Sequence, residues 1–544
     1  MQTPLFSIVT PVYRPAPGDL QATIDSVRSQ TCGDWEWIIV DDHSDQSGVT
    51  AVLQSAADLD SRITVIERGT NGHIVAASND GLERTSGQWI VLLDHDDLLL
   101  PQSLERIADA LANHPSAGYV YTDEDKIDDQ GNLSGEFRKP DWSPERLRHQ
   151  MYLGHLSALR ADIVHQVGGF HLGFDGSQDH DLALRVTELC EEVIHIPEVL
   201  YHWRIVPGSA ASDPNAKDYA TQSGVRAIQE HLNRLGRRGD IVSSPTLPHT
   251  YSISRQFDSD ILVSVVIPTR GGTGVVWGEQ RCFVVEAVRS VLEHTQHRLL
   301  EFVVVHDSDT PEYVLDQLRD LCGQRLVLKE YSRPFNFSEK CNLGFLASSG
   351  DIIILLNDDI EVRSDTFIEQ LCAPLWERSV GMTGARLTFA DDTLQHAGLI
   401  FQDAEFQHAY SGYPNSSTGF FSELEIDREV SGLTGACLAL RREVYEEVGG
   451  FYLGLPNNFN DVDFSYKVRA LGLRLVWLSG VWATHFESKS RVTRVLPLEI
   501  KIVTDRWGKP SYDTFMPMEG ERLMRPVMEA KERNVRGFVE NGLL

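Results

Sequence analysis

The chain has 544 residues, 42% of them hydrophobic and 24% charged, which is globular composition with length for about two to four domains that each bury a core. Its formal net charge of -30 repels phosphate backbones, so nucleic acid is excluded as a general partner and a phosphorylated ligand would need a cation to hold it. The seven cysteines are scattered without Cys-x-x-Cys spacing and read as reduced thiols, neither a disulfide framework nor a zinc site.

Residues 6–12 are apolar and β-branched, stopped by Pro11, and predict a strand. Leu20, Ile24 and Val27 at helical spacing predict a helix over 19–31. A buried strand at 35–40 follows, then an alanine-bearing helical stretch, a short strand at 63–66, a helix around 73–85 and a strand at 89–93. Strands alternating with helices argue an α/β sheet that is mostly parallel, with ligands beyond the carboxyl ends of the strands. Asp41-Asp42 and Asp94-His95-Asp96 both follow strands and should face that crevice.

From 263 the order returns: a strand at 263–267, a helix holding Val284, Val288 and Val291, a strand at 302–305, a helix at 336–346 and a strand at 351–356. Three blocks repeat in sequence. Ser7-Ile8-Val9-Thr10-Pro11 recurs as Ser264-Val265-Val266-Ile267-Pro268, and the acidic turn Leu92-Leu93-Asp94-His95-Asp96-Asp97 as Leu355-Leu356-Asn357-Asp358-Asp359. Gly168-Gly169-Phe170 with Gln178-Asp179-His180-Asp181 recurs as Gly449-Gly450-Phe451 with Asn460-Asp461-Val462-Asp463. The pattern predicts a duplicated domain: 1–235 and 263–495, joined by a turn-rich linker at 236–262 and followed by an extension at 496–544. Within that extension, 519–535 reads as an amphipathic helix packed on the second domain.

No run of about 18 apolar residues is present, so no membrane-spanning helix is expected. Met1-Gln2-Thr3-Pro4-Leu5 has no basic segment of the signal-peptide kind. The expected setting is cytoplasmic, with peripheral contact at the inner face of a membrane left open.

Two carboxylates leaving one turn after an apolar strand, Asp94 and Asp96, suit a hard divalent ion with oxygen ligands, which can bridge a diphosphate. Aligning the Leu-Leu pairs sets Asp359 against Asp96, making this retained position the better metal-ligand candidate. A polar turn capping a strand is the competing reading. Asp42 and Asp307 hold the retained acidic position of the earlier turn. Each could accept the imide N–H of a pyrimidine base, against an Asx turn as the alternative. Asp179 and Asp461 open helix-like runs, where a carboxylate either caps the helix or acts as a general base on an attacking hydroxyl. Asp181 and Asp463 are expected to be structural. His202 and His485 follow apolar strands and could complete a metal shell. Nearby Arg204, Lys489 and Arg491 could meet a diphosphate.

Taken together, each half resembles a family 2 glycosyltransferase of the GT-A fold, over about 8–205 and 263–492. The resemblance rests on Thr10-Pro11-Val12-Tyr13, Val40-Asp41-Asp42-His43-Ser44, Asp94-His95-Asp96 and Gln178-Asp179-His180-Asp181-Leu182. In the second half it rests on Leu394-Gln395-His396-Ala397-Gly398 and the run from His485 to Arg491. It implies two α/β GT-A domains, Rossmann-like nucleotide-diphospho-sugar transferase folds, in tandem with a C-terminal helical tail. It places a UDP- or dTDP-sugar against Pro11, Tyr13, Asp42 and Asp94 in one half, and against Pro268, Asp307 and Asp358 in the other. It implies Mn²⁺ or Mg²⁺ on Asp96 with His202 and on Asp359 with His485, and Asp179 and Asp461 as bases of an inverting transfer. The acceptor it implies is a growing cell-surface polysaccharide or a lipid-linked glycan. Asn357, Gln178, Asn460 and His306 depart from the family pattern. These departures keep open an alternative in which one domain transfers sugar and the other binds glycan or serves as a scaffold. A nucleotidyltransferase fits less well, because Val12-Tyr13-Arg14-Pro15 after the first strand is not a glycine-rich phosphate loop.

Overall fold

The computed structural model describes residues 3–205, 214–402, 405–486 and 495–516, with backbone alone for 214–218. The expected helix at 519–535 and the basic residues Lys489 and Arg491 lie outside the described residues. The chain divides into two compact units, with the boundary between Tyr251 and Ser252.

In the first unit the main path of the sheet runs, edge to edge, Ile63–Glu67, Trp35–Asp41, Phe6–Val12, Trp89–Leu92, Ser157–Arg160, Ala117–Ile127, Glu192–Arg204 and Leu98–Leu99. The first four strands pair in parallel. Ser157–Arg160 then runs antiparallel to both of its neighbours, so the sheet is mixed rather than mostly parallel. The parallel half reads as unbroken apolar runs because helices cover both faces. Ile8, Trp37, Ile39 and Val91 are buried in it. The helix Pro17–Arg28 starts two residues earlier than its periodicity suggests, since a proline at the first turn is already set to helical φ. It buries Leu20, Ile24 and Val27 against that sheet.

The second unit repeats this order strand for strand: Leu326–Tyr331, Leu300–Asp307, Val263–Thr269, Ile352–Leu356, Cys437–Arg441, Val380–Thr388, Arg474–His485 and Ile360–Val362. Its strands keep the same directions, including the antiparallel Cys437–Arg441. The helices His73–Leu82 and Phe337–Ala347 lie so close to their sheets that glycine is required. A Cβ on Gly81 would stand 2.7 Å from Val9 Cγ1, and one on Gly344 2.3 Å from Val266 Cγ1. Unlike the first unit, the second carries an antiparallel hairpin, Thr273–Val276 with Glu279–Cys282, between its first strand and first helix. The turn-rich segment at 236–262 holds two short strands, Gly239–Ser243 and Tyr251–Arg255, where only turns were expected. Their alternating burial rests on a few residues such as Tyr251 and Ile253. Among the described residues, no helix is long and apolar enough to cross a membrane.

Candidate functional site

Parallel strands deliver their carboxyl ends to one edge. In the first unit these ends open on a cavity of about 640 Å³ whose lining includes Pro11, Tyr13, Asp42, Asp94 and Asp96. Asp42 is held from two sides: Arg68 Nη1 donates to its Oδ1 at 2.7 Å and the Gly72 backbone N–H at 2.8 Å. The neighbouring Asp41 instead accepts from the Ser44 backbone N–H at 2.9 Å, a local turn contact. Asp175 and Gly176 also line the cavity, immediately before the helix Gln178–Thr187. Asp179 sits exposed on the first turn of that helix and is not among the lining residues. Its Oδ1 accepts the His180 backbone N–H at 2.8 Å. Asp181 is wholly buried and takes two bonds from Arg185, at 3.0 and 2.6 Å, the structural role expected of it.

The acidic turn is larger than the motif suggests. Asp97 is buried and accepts from the Tyr201 hydroxyl at 2.5 Å and the Arg204 backbone N–H at 2.7 Å. Burial, reinforced by Asp94, pushes its carboxyl up to about 7. Burial also raises Asp96. His155 Nε2 lies 3.7 Å from Asp94 Oδ2, and ligand atoms of Asp94, Asp97 and His155 lie within 4.8 Å of one another. Burial lowers the His155 imidazole, but Asp94 and Asp97 outweigh it and the net shift is upward. The sequence places Asp97 in the acidic turn without marking it, or His155, as a site residue. Asp97 could have been found as a third acid of the turn, whereas nothing around Gly154-His155-Leu156 marks the histidine.

His202 and His485 share one arrangement. Asp125 holds the Nδ1 of His202, and Gln395 Oε1 lies 2.7 Å from the Nδ1 of His485. An acceptor on Nδ1 fixes the tautomer that presents Nε2, the usual support of a metal-ligating imidazole. In the second unit His485 Nε2 is 3.0 Å from Asp359 Oδ1 and 3.5 Å from Asn357 Nδ2. If Nδ1 donates its proton to Gln395, the Nε2 lone pair faces the carboxylate. A cation between them satisfies both, so this nitrogen and oxygen pair fits a divalent ion.

The remaining second-unit candidates are bonded to one another. Asp307 Oδ1 lies 2.6 Å from Lys340 Nζ, which also donates to the Thr269 carbonyl at 2.7 Å. The Thr269 hydroxyl donates to Asp358 Oδ2 at 2.6 Å, and burial followed by repulsion from Asp359 pushes Asp358 up to about 6. Pro268 is buried one residue earlier. Asp461 opens the helix Asn460–Ala470; its oxygens accept from the Gly435 N–H at 3.2 Å and the Val462 N–H at 2.9 Å. Asp463 is buried and takes Arg506 Nε at 2.7 Å and Trp507 Nε1 at 2.8 Å.

Two mixed sheets of one strand order, each with carboxylates at the ends of its first parallel strands, define a duplicated GT-A fold. The sequence profile of Glycosyl transferase family 2 matches residues 7–168 and 264–449, and the chain belongs to that family, with two copies of its domain. It is 34% identical over 544 residues to the O-antigen biosynthesis protein RfbC of Myxococcus xanthus, covering 99% of this chain and 42% of that protein. It is 36% identical over 535 residues to the uncharacterized protein y4gI of Sinorhizobium fredii, covering 95% of this chain and 58% of that one. The chain therefore spans 42% and 58% of the lengths of these relatives. Among solved structures, Staphylococcus aureus TarS 1–349 in complex with UDP-GlcNAc is similar at a TM-score of 0.36 and 17% identity, over 42% of this chain and 66% of that one.

Proposed function

We propose that the chain is a metal-dependent, inverting glycosyltransferase with two donor sites, using UDP- or dTDP-sugars to extend a cell-surface polysaccharide or lipid-linked glycan. The observation that carries this reading is the recurrence, in both units, of an acidic turn after the fourth parallel strand and a histidine whose Nδ1 is held by a polar side chain. The likeness of 99% of this chain to 42% of an O-antigen biosynthesis protein supports a polysaccharide acceptor. A lipid-linked acceptor would be met at the cytoplasmic face of a membrane.

In this reading Asp42 and Asp307 accept the imide N–H of the base. Asp96 with His202, and Asp359 with His485, hold the cation, and the imidazole favours Mn²⁺ over Mg²⁺. The bound ion supplies positive charge that offsets the departing diphosphate. Asp179 and Asp461 take the proton from the attacking acceptor hydroxyl, which approaches the anomeric carbon from the face opposite the diphosphate. The exposed place of Asp179 suits an acceptor entering from solvent. The test is nucleotide-sugar turnover with Mn²⁺ in the wild type, Asp96→Ala, Asp359→Ala and the double variant. Turnover unchanged in all three variants overturns the reading.

A second reading leaves transfer to the first unit and makes the second a binding module. It is favoured by Asn357 at the place of Asp94 and His306 at the place of Asp41. Loss of all turnover in Asp96→Ala, with none in Asp359→Ala, would select it.

A further inference from the structure

The carboxylate at the base end of each crevice is held by a cation, yet the two units supply that cation from different elements. In the first unit it is Arg68, which follows the edge strand Ile63–Glu67. Strand register shows what stands there in the second. Asp41 pairs with Glu67 and His306 pairs with Glu330, so the residue matching Arg68 is Tyr331. Lys340 comes instead from the helix Phe337–Ala347, four residues before Gly344. Gly344 packs against Val266 and Val305 as Gly81 packs against Val9 and Val40, so the residue matching Lys340 is Ala77, which lines the first cavity. Arg68 with Ala77 has thus been exchanged for Tyr331 with Lys340. One position lost its charge and the other gained it.

An ordinary buried ion pair does not account for this exchange. Burying an unmatched ammonium is unfavourable, and the first unit shows that a methyl group serves the helix at this position. Lys340 instead pairs with Asp307 at 2.6 Å and donates to the Thr269 carbonyl at 2.7 Å. Its side chain is 1% exposed and that of Asp307 20%, so the cation lies beneath and the carboxylate faces outward. Its ammonium is 5.4 Å from the Tyr331 ring centroid, within reach of a guanidinium grown from position 331.

We propose that Lys340 is a positioning residue that replaces Arg68, so that the second crevice keeps a nucleoside diphosphate site despite Asn357 and His306. The inference rests on reading both crevices as nucleotide-sugar sites. Asp307, aimed by Lys340, accepts a ring N–H that sits beside a carbonyl. Uracil, thymine and guanine share that edge, so the ligand is a diphosphate of one of these three bases.

The test uses the full chain with the first crevice disabled by Asp42→Ala and Asp96→Ala, titrated calorimetrically with UDP, dTDP and GDP in the presence of Mn²⁺. That parent should bind at least one of the three. Adding Lys340→Ala should weaken this binding about 10- to 100-fold, and adding Lys340→Ala together with Tyr331→Arg should recover most of it. The mirror exchange, Arg68→Tyr with Ala77→Lys, should preserve binding in a chain carrying Asp307→Ala and Asp359→Ala. A parent that binds none of the three, an unaffected Lys340→Ala chain, or a failed exchange in both units overturns the inference. If Lys340→Ala does not fold, the two exchanges still decide. A wild type that binds none of the three in either unit defeats the glycosyltransferase reading itself, whereas binding confined to the first unit defeats this inference alone.

Discussion

His485 Nε2 lies 3.0 Å from Asp359 Oδ1, and the two come from strand ends far apart in sequence. Gln395 holds the other ring nitrogen at 2.7 Å. If this pair binds the ion, Gln395 acts by orienting the ring. Gln395→Ala should then weaken Mn²⁺ binding about 10- to 100-fold while leaving thermal unfolding of the metal-free chain nearly unchanged. Calorimetric titration of Mn²⁺ in an Asp96→Ala background isolates this site. An unchanged dissociation constant there would remove His485 from the metal shell.

Asp461 and Asp463 are two residues apart and should separate activity from stability. Asp463 is buried and accepts from Arg506 and Trp507, which tie the helix Pro497–Trp507 to the second unit. Asp463→Asn should cost about 1–3 kcal/mol of stability. Asp461→Asn leaves one carbonyl oxygen for the two backbone N–H groups that separate carboxylate oxygens accept in the wild type, and should cost less stability than Asp463→Asn. It should nevertheless lower second-unit transfer about 100- to 10,000-fold if Asp461 is the base. Measuring melting temperature and turnover on both variants checks the division. Equal activity losses in the two would assign Asp461 a merely structural role.

The parts of the fold that depend on local pattern were legible. Continuous apolar runs gave the parallel strands, and matching glycines and acidic turns gave the duplication. Asp181 and Asp463 could be set aside as structural from their place on the first turn of a helix, although only Asp181 is held by a local side chain, Arg185, whereas Asp463 is held by Arg506 and Trp507 of a separate helix. The antiparallel strand Ser157–Arg160 was not legible, since four residues carry no usable period. Partners fixed by tertiary packing were hidden for the same kind of reason. Asp125 meets His202 across neighbouring strands, and His155 reaches the acidic turn from the bend just before the strand Ser157–Arg160. The exchange of Arg68 for Lys340 becomes visible only once strand register aligns the two units.

Gly344 offers a test of how tightly the helix Phe337–Ala347 is seated. A Cβ there would stand 2.3 Å from Val266 Cγ1 and 3.1 Å from Val305 Cγ2, both on central strands that cannot swing aside. Gly344→Ala should destabilise the second unit by about 1–3 kcal/mol through overpacking, despite the better helix propensity of alanine. It should also move Lys340, which rides on the same helix, and so weaken nucleotide binding in the second crevice. Gly81→Ala meets Val9 at 2.7 Å and should cost less. Melting curves of the two variants check the order; a stabilised Gly344→Ala chain would contradict the packing described.

The second unit should also lose stability in mild acid through His396. This ring is fully buried, its Nδ1 lies 2.9 Å from His408 Nδ1, and its Nε2 lies 3.4 Å from the Thr434 backbone N–H. Burial first, then the charges of His408 and Arg428, hold it well below its ordinary value of 6.5. The folded chain therefore keeps His396 neutral at a pH where the unfolded chain has already protonated it. By linkage, the contribution is fully present above about pH 6.5 and is lost as pH falls, at up to about 1.4 kcal/mol per pH unit. The loss continues until the folded ring also takes a proton. Thermal unfolding at pH 7, 6 and 5 should show a steeper fall for the wild type than for His396→Gln, which has no proton to gain. Parallel curves for the two proteins would mean that His396 does not set the acid sensitivity of this unit.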